Sequence, residues 1–286
     1  LAAVAMVLVA AVALGSSTYA WFVASGTVTA QGMSVHATSE GGLVISYDTQ
    51  NWGIVATADA NNVALNPTST LDMSHWYHAT AMNSADYKAD ETTREDVSSK
   101  VMNGTAFRSG EENTYVVAKT FNIRSTGNSD AGNLAQGLYV SNITVTGANN
   151  QQMTTALRVG IICDFQGKAE SGPFIYGPVK IGNGEEQNAA KPSYPVYSAY
   201  NADTQTNGEK LGDVTLLSYG PEVKDKPLLK NNVVIPNSTN VGNYVKVTVV
   251  IWFEGEDWNL VSDKYNTAEL NVTVDFSSLG SAGTIA

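Results

Sequence analysis

Short apolar stretches recur along most of the chain, with turn-forming residues between them. In one of them Leu270, Val272 and Val274 alternate with Asn271 and Thr273, which puts an apolar and a polar set on opposite faces of a strand. The ten stretches with a strand-like pattern are 28–35, 43–47, 115–123, 138–145, 157–165, 174–181, 214–219, 232–235, 244–253 and 268–276. Because few stretches have a helical period, the pattern predicts an all-β protein built as an antiparallel β-sandwich.

Three polar stretches interrupt this pattern. Residues 84–102 are predicted as a short surface helix, 182–212 as a long loop and 221–227 as a turn or short linker. None has the length or composition of a disordered linker between domains, and the chain has no repeat of fixed period. We therefore predict one elaborated β-sandwich domain over residues 21–286, preceded by a separate segment over residues 1–20.

The N-terminal segment is the most apolar part of the sequence. Residues 1–14 carry no charged or polar side chain. Their length matches the apolar region of a signal peptide and falls short of the roughly 20 residues that a membrane-spanning helix needs. Residues 17–20 (STYA) are mostly small and offer a stretch where a signal peptidase could cut. The segment is predicted to be helical, and it indicates export to the cell surface.

Three interpretations of this segment stay open. It is a signal peptide that is removed, it is part of a fragment that begins inside a signal peptide, or it is kept in the mature protein. The third interpretation resembles type IV pilin-like subunits, in which a peptidase removes a basic leader and leaves an apolar helix for the filament core. Bacterial pilins of that class carry Glu at the fifth position, where this chain has Ala5.

Composition excludes several classes of function. The 286 residues include 16 Lys and Arg against 27 Asp and Glu, giving a formal net charge of -11 without a basic cluster, so nucleic acid is not an expected partner. The single cysteine, Cys163, excludes an intrachain disulfide and lies in an apolar stretch, which predicts a buried, inert thiol.

Two groups of side chains are candidates for metal binding. His75 and His78 lie three residues apart, but a third ligand of the right type is not close in sequence, so a surface pair is the preferred interpretation. The second group consists of Glu254, Glu256 and Asp257. A turn at the end of a strand is the preferred interpretation of this group, over a calcium site. The chain has no P-loop, dinucleotide-binding glycine motif, nucleophile elbow or HExxH motif. We therefore predict no metal, no cofactor and no catalytic residues, with an exported hydrolase as the weakest alternative.

The tryptophans suggest a second class of function. Trp21, Trp52, Trp76, Trp252 and Trp258 would form a sugar-binding platform if they lay together on the surface, whereas scattered tryptophans belong to the core. A surface adhesin or glycan-binding module is therefore the alternative to a structural role.

Four sequons are candidate N-glycosylation sites. They begin at Asn103, Asn142, Asn237 and Asn271. Asn271 falls on the polar face of the strand predicted at 268–276, so it should be accessible.

Residues 15–35 (GSSTYAWFVASGTVTAQGMSV) resemble the start of TasA and camelysin-type surface proteins of Gram-positive bacteria. The stretches 42–48, 156–165 and 247–257 also resemble exported proteins with that layout. The resemblance implies a jelly-roll-like β-sandwich and a role in a fibre or the cell envelope. Residues 23–26 (VASG) depart from it, because the family carries acidic residues after the aromatic position.

Both resemblances imply assembly with copies of the same chain through the N-terminus. In the pilin-like version the apolar helices bundle, and in the fibre version the segment from Trp21 to Val35 adds as a strand to the open sheet edge of the next subunit. Either contact is head-to-tail and propagates as a filament, formed after contact with the membrane or cell envelope. The predicted assembly residues are Leu1, Val4, Val7, Leu8, Val12, Leu14, Trp21, Phe22, Val28 and Val35.

Overall fold

The computed structural model describes residues 28–37, 42–79, 94–109, 113–127, 134–146, 151–178, 192–199, 208–220, 226–237, 243–257 and 269–278. The strands of these residues are β1 (Val28–Ala37), β2 (Leu43–Ser46), β3 (Val55–Leu65), β4 (Tyr77–Ala79), β5 (Arg94–Asp96), β6 (Met102–Asn103), β7 (Ala106–Phe107), β8 (Val117–Ser125), β9 (Gln136–Thr146), β10 (Leu157–Asp164), β11 (Phe174–Tyr176), β12 (Ser193–Tyr197), β13 (Lys210–Thr215), β14 (Leu229–Val234), β15 (Val245–Phe253) and β16 (Glu269–Ser277). The helices are α1 (Ser98–Val101) and α2 (Gln151–Ala156). The prediction of a β-rich protein is confirmed, whereas the predicted N-terminal helix falls outside the described residues.

Two five-stranded sheets carry the main core. Sheet 1 has the strand order β14, β9, β16, β1, β3, and sheet 2 has the order β11, β10, β15, β8, β2. Inward-facing side chains from both sheets, such as Val35 and Val274 from sheet 1 and Phe121 and Val247 from sheet 2, belong to one buried cluster. Neighbouring strands within the two sheets are antiparallel except for β1 and β16, which are parallel.

The alternation seen in the sequence sets which side chains face the core. On β16, Val272, Val274 and Phe276 are at most 1% exposed, while Asn271 is exposed, as its pattern predicts. β15 differs, because Trp252 is fully buried although it points away from the main core. The outer face of sheet 2 must therefore be covered where β15 ends.

An accessory layer covers that part of sheet 2. It contains the small sheets β4–β5, β6–β7 and β12–β13, and its apolar side chains form a second buried cluster with Val250 and Trp252. The helix predicted over residues 84–102 is reduced to α1 in the described part, because Arg94–Asp96 pairs as a strand with β4. The predicted loop over residues 182–212 contains β12 and the start of β13, where Tyr194 and Val196 alternate into the second cluster.

No helix within the described residues has both the length and the apolar character needed to cross a membrane.

Candidate assembly site

β1 is the first described strand, and it lies in the interior of sheet 1. It pairs in parallel with β16 from Thr29 to Ala37 and antiparallel with β3 from Val28 to His36. Val28 lies opposite Leu65, the last residue of β3, and Thr29 lies opposite Glu269, the first residue of β16. The chain that precedes residue 28 therefore joins the domain at the end of sheet 1 where β3 ends and β16 begins.

The side chains of β1 are part of the main core. Met33 and Val35 are fully buried, and Ala37 is 5% exposed. The structure thus places Val35 inside its own domain, and it describes Val28 through its backbone pairing. The eight other predicted assembly residues, from Leu1 to Phe22, lie outside the described residues, so their role stays a prediction.

β3 forms one edge of sheet 1. The N–H of Ala37 donates to the carbonyl of Ile54 at 2.8 Å, which makes this a hydrogen-bonded pair of the β1–β3 ladder. Because such pairs alternate, the backbone N–H and C=O groups of Val55 and Thr57 point away from β1. The closest contact seen between the side chains of Ser34 and Thr57, 3.4 Å between hydroxyl oxygens, fits the narrow spacing of a non-hydrogen-bonded pair. No other strand of the described residues pairs with β3.

Apolar side chains are exposed next to this edge. Ile54 is 57% exposed, Val55 48% and Tyr47 47%, and all three belong to the segment that includes β2 and the start of β3. Hydrogen bonds stabilise the turn in this segment, because the Asp48 carboxylate accepts them from the backbone N–H groups of Gln50 and Asn51. These hydrogen bonds lower the pKa of Asp48. An apolar surface therefore lies beside a strand edge that no described strand covers.

The three acidic residues that follow β15 are not arranged as a cation site. Glu256 forms a buried ion pair with Arg94, with 2.9 Å between Oε2 and Nη2, and Asp257 forms another with Arg158, with 2.7 Å between Oδ2 and Nη2. All four side chains in these pairs are fully buried. The preferred interpretation of this stretch as a turn agrees with its backbone, and the described residues contain no group of three or more potential metal ligands.

Together with Glu254, these four residues form a buried ion cluster, and Glu254 has no ion-pair partner of its own among the described residues. Its carboxylate accepts hydrogen bonds from the Ser69 hydroxyl, from Trp252 Nε1 at 3.3 Å and from the backbone N–H of Glu256 at 3.1 Å. Burial raises the pKa of Glu254 to about 7, although Arg158 opposes this shift. Burial and the nearby Glu254 also raise the pKa of Tyr194.

The cluster connects the accessory layer with sheet 2. Arg94 comes from β5 and Arg158 from β10, and both guanidinium groups lie over tyrosine rings of β12: Arg94 is 4.2 Å from the Tyr197 ring centre and Arg158 is 5.0 Å from that of Tyr194. Sequence reasoning missed both arginines. A lone Arg158 inside the apolar stretch 157–163 was a usable signal, because a charge buried in a strand requires a partner.

The histidines and the cysteine have separate surroundings. His75 is exposed and its Nδ1 lies 2.8 Å from Asp72 Oδ2; this contact raises the pKa of His75. His78 Nδ1 lies 2.6 Å from the carbonyl oxygen of Pro67. Cys163 is half-buried, so the prediction of a buried thiol is only partly met, and burial raises the pKa of the thiol to about 12. At neutral pH the thiol is therefore protonated, as expected for an inert cysteine.

The tryptophans do not share one surface in the described part of the chain. Trp76 and Trp252 are fully buried in the second cluster, 5.3 Å apart between ring centres. Trp52 is half-buried, with the Arg124 guanidinium 3.9 Å from its ring centre and the Tyr244 ring 6.3 Å away. Trp21 and Trp258 lie outside the described residues. Among the described tryptophans, Trp52 alone contributes to the surface, and Arg124 covers one face of its ring.

The four sequons differ in accessibility. Asn103 is exposed at the β6–β7 turn, and Asn271 is exposed on the outer face of sheet 1, as expected. Asn142 is exposed too, but its Nδ2 donates to Thr144 Oγ1 and Asp275 Oδ2. Asn237 is 3% exposed and donates to the carbonyl of Gly127 at 3.0 Å, so the folded domain leaves no room for a glycan there.

No protein-family model, no curated protein and no solved structure matches this chain.

Proposed function

We propose that the protein is an extracellular structural subunit of a cell-surface filament, with a jelly-roll-like sandwich as its body and the segment before β1 as its assembly element. The observation that carries the proposal is the position of β1. The strand that continues the apolar N-terminal segment lies inside sheet 1, paired on both sides. The partner is another copy of the same chain, in a head-to-tail polymer with no cofactor.

The pairing of β1 suits a subunit that carries load. A pull on the N-terminal segment acts along β1, in the plane of sheet 1, so the hydrogen bonds to β16 and β3 resist in shear and many must break together. Met33 and Val35 would also have to leave the main core. An edge strand pulled in the same direction would be held by one ladder of hydrogen bonds instead of two, so the interior position of β1 favours a mechanical role.

Two modes of assembly remain open for this filament. In one, β1 stays in its own domain and the residues before it contact the next subunit. In the other, β1 leaves its own sheet and takes the same place between β16 and β3 of the next subunit. The contacts of Val35 with its neighbours would be the same in both modes, so the monomer alone does not distinguish them.

A disulfide between β1 and β3 separates these modes. Ser34 and Thr57 face each other with hydroxyl oxygens 3.4 Å apart, a spacing that suits a disulfide after substitution of both by Cys. Filaments would be assembled from the full chain carrying Ser34→Cys, Thr57→Cys and Cys163→Ala, oxidised, and dissolved in denaturant without reductant. Monomers would show that β1 stays in its own domain, and a ladder of covalent multimers would show strand exchange.

The filament itself is tested by intact mass and electron microscopy of the full chain after expression and export. We expect filaments, and we expect Leu8→Asp to abolish them because a charge cannot be buried between apolar segments, while the matched change Leu8→Met leaves them intact. The proposal would be overturned by a protein whose intact mass shows that it retains residues 1–14 but which stays monomeric. Filaments whose subunits begin near Trp21 would retain the function and transfer assembly to the exchanged strand.

A further inference from the structure

The open edge of β3 is the least protected strand edge of the two main sheets in the described residues. β2 and β11 are four and three residues long. β14 keeps only two pairings with β9, with an irregularity between them, and Ala169 bridges to its first residue. β3 is regular from Val55 to Asp59, and residues 53–58 contain neither a charge nor a proline. Proteins usually protect such an edge with one or the other.

We propose that this edge binds the β3 edge of a second copy of the chain, forming a continuous ten-stranded sheet across a two-fold axis. Antiparallel pairing centred on Ala56 brings Val55 opposite Thr57 of the second copy and Thr57 opposite its Val55. These are the residues whose N–H and C=O groups point outward, so the register makes two hydrogen-bonded pairs with four hydrogen bonds.

The side chains of this edge are complementary to themselves. In the register centred on Ala56, two β-branched side chains, Val55 and Thr57, are cross-strand neighbours, which favours strand pairing. Asp59 falls opposite Gly53 of the second copy, so no like charges meet. Ile54 and Val55, the two most exposed large apolar side chains of the described residues, lie at the contact and lose part of their exposure.

This contact is independent of the proposed filament. A two-fold contact closes on itself and forms a pair, so it cannot propagate a polymer. It uses β3, whereas the filament contact uses the chain before β1. Between filaments it would join two neighbouring rows of subunits side by side. Four hydrogen bonds between solvated strand edges imply a weak contact, which becomes populated at high local concentration.

Cysteine cross-linking of mixed samples tests the register. Two versions of the full chain, each with Cys163→Ala, would carry Val55→Cys or Thr57→Cys, and the mixture would be oxidised in non-ionic detergent and read on a non-reducing denaturing gel. We expect a covalent dimer in the mixture and little in either sample alone. No dimer in the mixture, or equal dimer in the Thr57→Cys sample alone, overturns the proposed pairing.

A second variant tests the edge without relying on a disulfide. Thr57→Pro removes an outward-facing N–H but no hydrogen bond to β1, so the domain should fold, whereas Thr57→Ala keeps the N–H as the matched control. In the Leu8→Asp background, which is expected to remove filaments, light scattering at high protein concentration should show a dimer for the parent protein and for Thr57→Ala, and its loss for Thr57→Pro. Equal masses for all three proteins, or displacement of the dimer by an unrelated β-strand peptide with equal affinity, would contradict self-pairing. A Leu8→Asp background that still gives the cross-link separates this contact from filament assembly.

Discussion

Protonation of Glu254 should make the stability of the domain depend on pH between about 4.5 and 7. The carboxyl group is fully buried among Arg158, Glu256, Tyr194, Ser69 and the Trp252 indole, and its pKa rises from 4.5 to about 7 on folding. The folded protein therefore binds this proton more tightly than the unfolded chain. The contribution of Glu254 to the free energy of unfolding is therefore greatest below pH 4.5 and is lost as the pH rises through 7, a decrease on the order of 3 kcal/mol.

The assay is urea unfolding followed by fluorescence of the buried tryptophans, at a series of pH values from 4.5 to 8. Glu254→Gln is the matched variant, because it keeps the size and one acceptor oxygen but cannot titrate. His75, whose pKa is raised by Asp72, is present in both proteins, so the difference between the two curves isolates Glu254. We expect the stability of wild type relative to Glu254→Gln to decrease with rising pH. A difference that stays constant from pH 4.5 to 8 would refute the reasoning.

Two further changes test how the domain is packed. Gly160→Ala should lower the free energy of unfolding by about 1–3 kcal/mol, because the added Cβ would lie 2.9 Å from the Trp252 ring. Gly53→Ala is the control, because its Cβ would meet nothing closer than 3.5 Å. Equal urea midpoints for the two variants would contradict this prediction. Arg158→Met should cost about 3–5 kcal/mol because it breaks the buried ion pair with Asp257, and adding Asp257→Leu should restore most of the loss. Thermal unfolding measures both changes, and no restoration would mean that the ion pair is not the cause.

The sequence predicts the strands that have one clear apolar period. β8, β10, β15 and β16 all fall within or close to predicted stretches, because each carries a continuous row of Val, Ile or Phe for the main core. β3 was missed, since Ala56 and Ala58 are the core-facing residues of its first half and alanine contributes little to an apolar pattern. A strand next to a well-packed neighbour needs only small side chains on its inner face.

The accessory layer and the ion cluster could not be found in the same way. Arg94 and Glu256 are 162 residues apart, and nothing in the local sequence of either indicates the other. The strands β4 and β5 are three residues each, too short to show a period. Their conformation depends on tertiary contacts with sheet 2, which local patterns do not encode. The sequence shows Glu254, Glu256 and Asp257 as a group, but their role depends on partners elsewhere in the chain.

The parallel pairing of β1 with β16 has a consequence for how the protein is made. Val35 of β1 lies opposite Val274 of β16. β1, the first described strand, therefore lacks one of its two neighbours until β16, the last described strand, has been synthesised. Sheet 1 cannot be completed until β16 has been made and has paired with β1. The growing chain therefore keeps both open neighbours of that gap, β1 and β9, unpaired on one side until β16 joins them.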